Sequence, residues 1–390
     1  MCKKNLPVVI ALVFGLLLAA IPAWSAPLES ARLGWGIYED EVLDYAVQYP
    51  PEWTVAAPPA LSGLVSPVLT FRRPVPGLVK ITSADPHARS EDMISVGQYL
   101  HAIEADETLL QWVERYNEAF TDGVLLEISP LDLGRHEAVY ARGESALTGF
   151  HFVNIRVGQT VWFLWSNFDA VADHPGAATL RRMARSLTFG PQTPQTLQAR
   201  YGQNFEPPKL EGPSQRGALT ESLTWLSAPL SSSWYSPVLK SYGNQWSITC
   251  GSSYHTNGAY YAADVGASSN WAVLAAKAAS VYASGWDNSG YGNRVKLGPS
   301  SGYYHYYAHL IGIFWPVTAG TSVSRGDLLG WVGSSGTSAT HLHFHVQNGA
   351  SQGSSTGIDL RGMTGFTDSS DSWYPSNDGT SHYSCAWMGR

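Results

Sequence analysis

The segment Thr340-His341-Leu342-His343-Phe344-His345 places three imidazoles at alternate positions. In an extended chain alternate side chains share a face, so the three histidines point one way and Leu342 and Phe344 the other. Imidazole is a common metal ligand and titrates near neutrality, so such a face suits metal binding or proton transfer. A strand whose polar face is merely rich in histidine is the plainer alternative. A second unusual residue is Asp264, inside Tyr260-Tyr261-Ala262-Ala263-Asp264-Val265-Gly266. A carboxylate buried in an apolar strand is costly unless it meets a cation, and no Lys or Arg adjoins it. His255 precedes it in the loop-like stretch Tyr254-His255-Thr256-Asn257-Gly258. The run Tyr303-Tyr304-His305-Tyr306-Tyr307-Ala308-His309-Leu310 adds two further imidazoles.

The elements that must position these groups are short strands and glycine turns. Residues 272–275 and 280–283 alternate around Lys277 and predict a hairpin, and 293–297 and 303–310 read as further strands. Gly320, Gly326, Gly330, Gly333 and Gly336 punctuate the approach to His341. The expectation for residues 234–390 is a mostly-β antiparallel sheet domain.

Taken in order, the His255…Asp264 pair, Tyr307-Ala308-His309-Leu310 and His341-Leu342-His343-Phe344 resemble the LytM-type zinc endopeptidases, the lysostaphin and β-lytic metallopeptidase family. The approach Val323-Ser324-Arg325-Gly326-Asp327-Leu328-Leu329-Gly330 also fits, so the resemblance covers roughly residues 240–350. It implies a Zn²⁺ ion held by His255, Asp264 and His343, with a fourth position open for chemistry. It also implies two non-ligand histidines at the open side. His341 is favoured as the base and His309 as the group that stabilises the developing oxyanion, an assignment that sequence does not decide. Eight residues separate His255 from Asp264, more than in many relatives. His305 and His345 are left outside the set, with His345 either a support for the ligands or a polar outward residue.

The function so implied is hydrolysis of peptide cross-links in bacterial peptidoglycan, with a wall peptide as partner. A non-catalytic LytM-like regulator or wall-binding protein is the alternative.

The rest of the chain sets the context. Lys3 and Lys4, the apolar run 6–21 and Pro22-Ala23-Trp24-Ser25-Ala26 predict a signal peptide over residues 1–25, with a retained anchor as the alternative. Export leaves Cys250 and Cys385, most simply a disulfide in an oxidising compartment. A secreted or cell-envelope location follows, with no membrane attachment in the mature form. The net charge is −7, and losing Lys3 and Lys4 makes it more negative, so no nucleic-acid surface is expected. Charged residues are 14% of the chain, against about 25% on average, and Trp, Tyr and Gly fill the difference as in turn-rich extracellular β proteins.

At 390 residues two domains are expected. Residues 27–189 predict an α+β unit, one antiparallel sheet with helices against it. Strands are expected at 45–49, 68–71, 79–81, 139–141, 150–157 and 160–165, and helices at 96–103, 109–120 and 179–187. The runs Asp44-Tyr45, Tyr49-Pro50-Pro51-Glu52-Trp53 and Ser186-Leu187-Thr188-Phe189 resemble the PsbP-like domains, which implies a scaffold or binding role. That unit could be a pro-domain, a wall-binding module or a partner adaptor. Residues 190–233, rich in Pro, Gln and Ser, read as a linker.

Overall fold

The structure, a computed structural model, describes residues 34–58 (without 42), 64–74 (without 66), 91–190 (without 122, 146 and 147), 248–249, 259, 262–266, 271–350 (without 315, 316 and 338), 355, 357, 358 and 360. The expected signal peptide, the strand at 79–81, the linker beyond 190, His255, Cys250 and Cys385 lie outside these residues.

The N-terminal half runs β1 (Gly36–Asp40), β2 (Tyr45–Tyr49), β3 (Thr54–Ala56), β4 (Leu64–Val65), β5 (Leu69–Pro74) and β6 (Glu91–Gln98). It continues through α1 (Leu109–Phe120), β7 (Val124–Pro130), β8 (Ala138–Glu144), β9 (Gly149–Val157), β10 (Thr160–Ser166), α2 (Pro175–Ser186) and β11 (Thr188–Phe189). A seven-stranded antiparallel sheet has the order β3-β5-β6-β10-β9-β8-β7, and β1-β2-β11 form a separate three-stranded sheet. The seven-stranded sheet is covered on both faces. Ile94, Val96, Leu164 and Val153 share one core with Leu180 and Met183 of α2. Met93, Phe163 and Phe152 share another with Trp112, Val113 and Tyr116 of α1. Thr108 starts α1 through a capping box with Gln111, and Pro175 opens α2, where its missing N–H costs nothing.

The helix expected at 96–103 is not present. Val96 is paired on both sides, with Leu164 of β10 and Leu69 of β5, and the following backbone keeps tracking β10 through Tyr99 N–H to Val161 O (2.9 Å). The helical spacing of Val96, Tyr99, Leu100 and Ile103 arises because a central strand and the loop after it bury side chains on both faces. The expected single sheet is likewise two sheets.

The C-terminal half comprises β12 (Ile248–Thr249), β13 (Ala263–Gly266), β14 (Ala272–Leu274), β15 (Ala279–Asp287), β16 (Gly292–Ser300), β17 (Tyr303–Phe314), β18 (Ser322–Val323), β19 (Leu328–Val332) and β20 (His341–Gln347). Its sheet runs β12-β13-β20-β17-β16-β15-β18, with β14 on β19 and β19 on β17. The hairpin expected around Lys277 is not formed, since β14 pairs with β19 and β15 with β16 and β18. Strand alternation divides the sheet by chemistry. Ala263, Val265, Val295, Leu297, Tyr307, Leu342, Phe344 and Val346 fill the core on one face. Asp264, His341, His343 and His345 occupy the other, as period-two patterning requires.

Candidate active site

Register brings the first two groups together. Asp264 stands opposite His343 on β13 and β20, and Ala308 of β17 stands opposite His343 on the other side. Asp264 Oδ1 lies 2.9 Å from His343 Nδ1 and 3.7 Å from His341 Nε2, and all three side chains are buried.

His309 reaches the same face by a break in alternation. His305 and Tyr307 point to the opposite side, and a continued strand would send His309 after them. Instead His309 has φ 61°, the left-handed region, beside a register shift between β16 and β17. A bulge re-aims a side chain in this way, at a backbone cost of about 1–3 kcal/mol for a non-glycine residue. The His309 ring then lies 4.6 Å from that of His341 and 5.8 Å from that of His343, centroid to centroid. Its N–H donates to Tyr291 O (2.9 Å) and its ring Nδ1 to Ser335 O (2.8 Å).

These contacts set the tautomers. A backbone carbonyl only accepts, so His309 carries its proton on Nδ1. His341 does the same, with Nδ1 3.0 Å from Ala339 O. In the neutral form of either ring Nε2 is therefore the basic nitrogen.

The row along β20 reads similarly. The Gln347 amide nitrogen donates to Gly349 O, so its Oε1 accepts from His345 Nε2 (3.2 Å). His345 then accepts at Nδ1 from His343 Nε2, 2.9 Å away. This leaves the His343 lone pair on Nδ1, facing the Asp264 carboxylate. Two electron-pair donors at 2.9 Å repel unless a cation is shared between them. A carboxylate oxygen and an imidazole nitrogen, with the imidazole oriented from behind by a second hydrogen bond, are a donor pair that suits Zn²⁺. Among the described residues no group of three His, Cys, Asp or Glu side chains is arranged to hold a metal.

The two histidines set aside by sequence part company. His305, on the core face, bonds through Nδ1 to Tyr307 Oη (2.7 Å), and burial, with Lys277 nearby, pushes its pKa down to about 3. His345 is tied to His343 and stacked on Tyr306 at 4.3 Å. Its alternation with His341 and His343 was the sequence signal for that placement. Tyr291 and Ser335 carried no such signal, because each reaches His309 through a contact distant in sequence, whereas Gln347 continues the alternation two residues beyond His345.

Residues 254–355 match the family model described as Peptidase family M23. Among solved structures, the catalytic domain of the antimicrobial peptidase lysostaphin from Staphylococcus simulans is 26% identical. It covers 30% of this chain and 86% of its own, with a TM-score of 0.24. Whole lysostaphin from the same organism is 24% identical over 33% of this chain, with a TM-score of 0.27, and the chain spans about half (52%) of its length. Cyanobacterial PsbP from Synechocystis is 14% identical, covering 40% of this chain and 93% of its own, with a TM-score of 0.27.

Proposed function

The C-terminal region carries a LytM-type domain, matched as Peptidase family M23 over residues 254–355, and from it we propose that the protein is an exported zinc metalloendopeptidase. Its substrate is a peptide cross-link of bacterial peptidoglycan. The observation that carries this reading is the convergence of Asp264, His343, His341 and His309 on one buried face.

Asp264 and His343, with His255 from outside the described residues, are the metal ligands. A bound zinc ion lowers the pKa of a coordinated water to about 7 and polarises a carbonyl. His341 is the base: its Nε2 is the basic nitrogen, on the Asp264 side of the ring, and its Nδ1 proton is anchored on Ala339 O. His309, oriented by Ser335 O and Tyr291 O, has its ring at the same face, where in its protonated form Nε2–H donates a hydrogen bond to the substrate oxygen as negative charge develops on it. His345 and Gln347 hold the His343 ring so that Nδ1 faces Asp264. The mature chain acts in the cell envelope or outside the cell. Digestion of defined muropeptides, with mass analysis of the products and a chelator control, tests the reading. Intact muropeptides after incubation with zinc-loaded protein would overturn it.

A further inference from the structure

The two halves of the chain are interlocked at three levels. In the backbone, β4 from the N-terminal half pairs with Ile313 and Phe314 at the end of β17. In the cores, Leu100 sits in the C-terminal cluster, while Ala283 and Trp286 sit in the N-terminal one. Trp286 stacks on Phe163 at 4.3 Å and meets Trp165 edge-on at 5.6 Å. In the polar network, the turn between β15 and β16 is gripped by N-terminal side chains. Tyr116 Oη donates to Trp286 O, Trp165 Nε1 to Asn288 O (3.0 Å), Ser145 Oγ to Ser289 O, and Tyr99 Oη to Asn288 Oδ1 (3.1 Å).

The same turn ends at the histidine site. Tyr291 supplies the carbonyl for His309 N–H, and its ring lies 5.2 Å from that of His343. Gly290 and Gly292 lie against Ser335 and Gly336 so closely that a Cβ on Gly336 would collide with Gly290 O. Ser335 is the residue whose carbonyl fixes His309 Nδ1, and its Oγ links Asn293 N–H to Leu310 O. A second N-terminal grip falls on this loop. Arg72 Nη2 donates to Ser334 Oγ (2.6 Å) and lies 3.5 Å from Thr337 O.

We propose that the N-terminal domain is a positioning element for His309, acting through the turn 286–291 and the loop 334–337. His309 holds a backbone conformation that only its surroundings can impose, and both of its anchoring carbonyls, on Tyr291 and Ser335, belong to segments the N-terminal domain holds. The geometry stands by itself; its kinetic consequence rests on the reading of His309 as part of a catalytic site.

The test uses the full mature chain with ¹⁵N-labelled histidine, comparing wild type, Arg72→Ala, Tyr99→Phe and, as control, Arg73→Ala. Arg73 is the neighbour of Arg72 on β5 and pairs with Asp92 within the N-terminal half. The His309 ring, identified by its loss in His309→Gln, is expected to show protonated Nδ1 and basic Nε2 in wild type and Arg73→Ala. In Arg72→Ala or Tyr99→Phe the two ring signals move toward each other, and kcat falls about tenfold to a hundredfold at unchanged KM. Wild-type His309 signals in both interface variants would overturn the proposal, whether or not hydrolysis is detected. The expected ring shifts in protein that hydrolyses nothing would leave the positioning standing and overturn the enzymatic reading instead.

Discussion

Asp264 and His343 stand opposite each other on adjacent antiparallel strands, and Oδ1 and Nδ1, the atoms they present, are 2.9 Å apart. Since His343 Nε2 is committed to His345, both facing atoms are electron-pair donors, and the pair is built to share a cation. Asp264→Ala and His343→Ala should each reduce bound zinc from about one ion per chain to almost none, as read by atomic absorption on folded protein. Retained stoichiometric zinc in either variant would remove that residue from the ligand set.

His341 separates an enzyme from a metal-binding regulator. His341→Ala should keep its zinc and lose about 10²- to 10⁴-fold in kcat, the usual contribution of a positioned proton-transfer group. A wall-directed function that survives the substitution intact would favour the regulator.

His345 touches no substrate in this reading and acts through His343. His345→Ala should weaken zinc affinity about 10- to 100-fold in a chelator competition, the typical effect of losing a partner behind a ligand. His345→Gln, whose amide oxygen can accept from His343 Nε2, should restore part of it. His305→Gln, on the opposite face, should lower Tm without changing zinc affinity.

Acid should destabilise the fold through His101 and His305, whose pKa values burial pushes down to about 3. Both are neutral in the folded chain, whereas in the unfolded chain they titrate near the ordinary value of about 6.5. Between these values the unfolded state binds more protons, so stability falls as pH drops from about 6.5 toward 3. Each such histidine contributes a slope of up to about 1.4 kcal/mol per pH unit. Denaturant unfolding at pH 7 and pH 5 should show a smaller loss for His101→Asn than for wild type. Equal losses would mean that His101 is not kept neutral by the fold.

Much of this was legible because it is local. Strict alternation in 341–347 and 263–265 separates imidazoles and a carboxylate from Leu, Phe, Ala and Val, and the strands obey it. The strands β2, β9 and β10 and the helix α1 follow from the apolar period of their own residues. The spacing of Val96, Tyr99, Leu100 and Ile103 misled for the opposite reason, since a central strand buried on both faces has no single period to read.

The sequence by itself determined which chemistry was available and which face of β20 would carry it, because side-chain direction in a strand depends only on neighbouring residues. Tertiary structure decided the rest. His309 turns to that face through a left-handed residue beside a register shift, and nothing in Tyr-Ala-His-Leu specifies such a break. His305 stays apart from His343 and His345 because the pairing of β17 with β20 puts it on the opposite side of the sheet. Trp286 and Arg72 bear on the histidines from far away in sequence, through contacts that exist only once two cores have packed against each other.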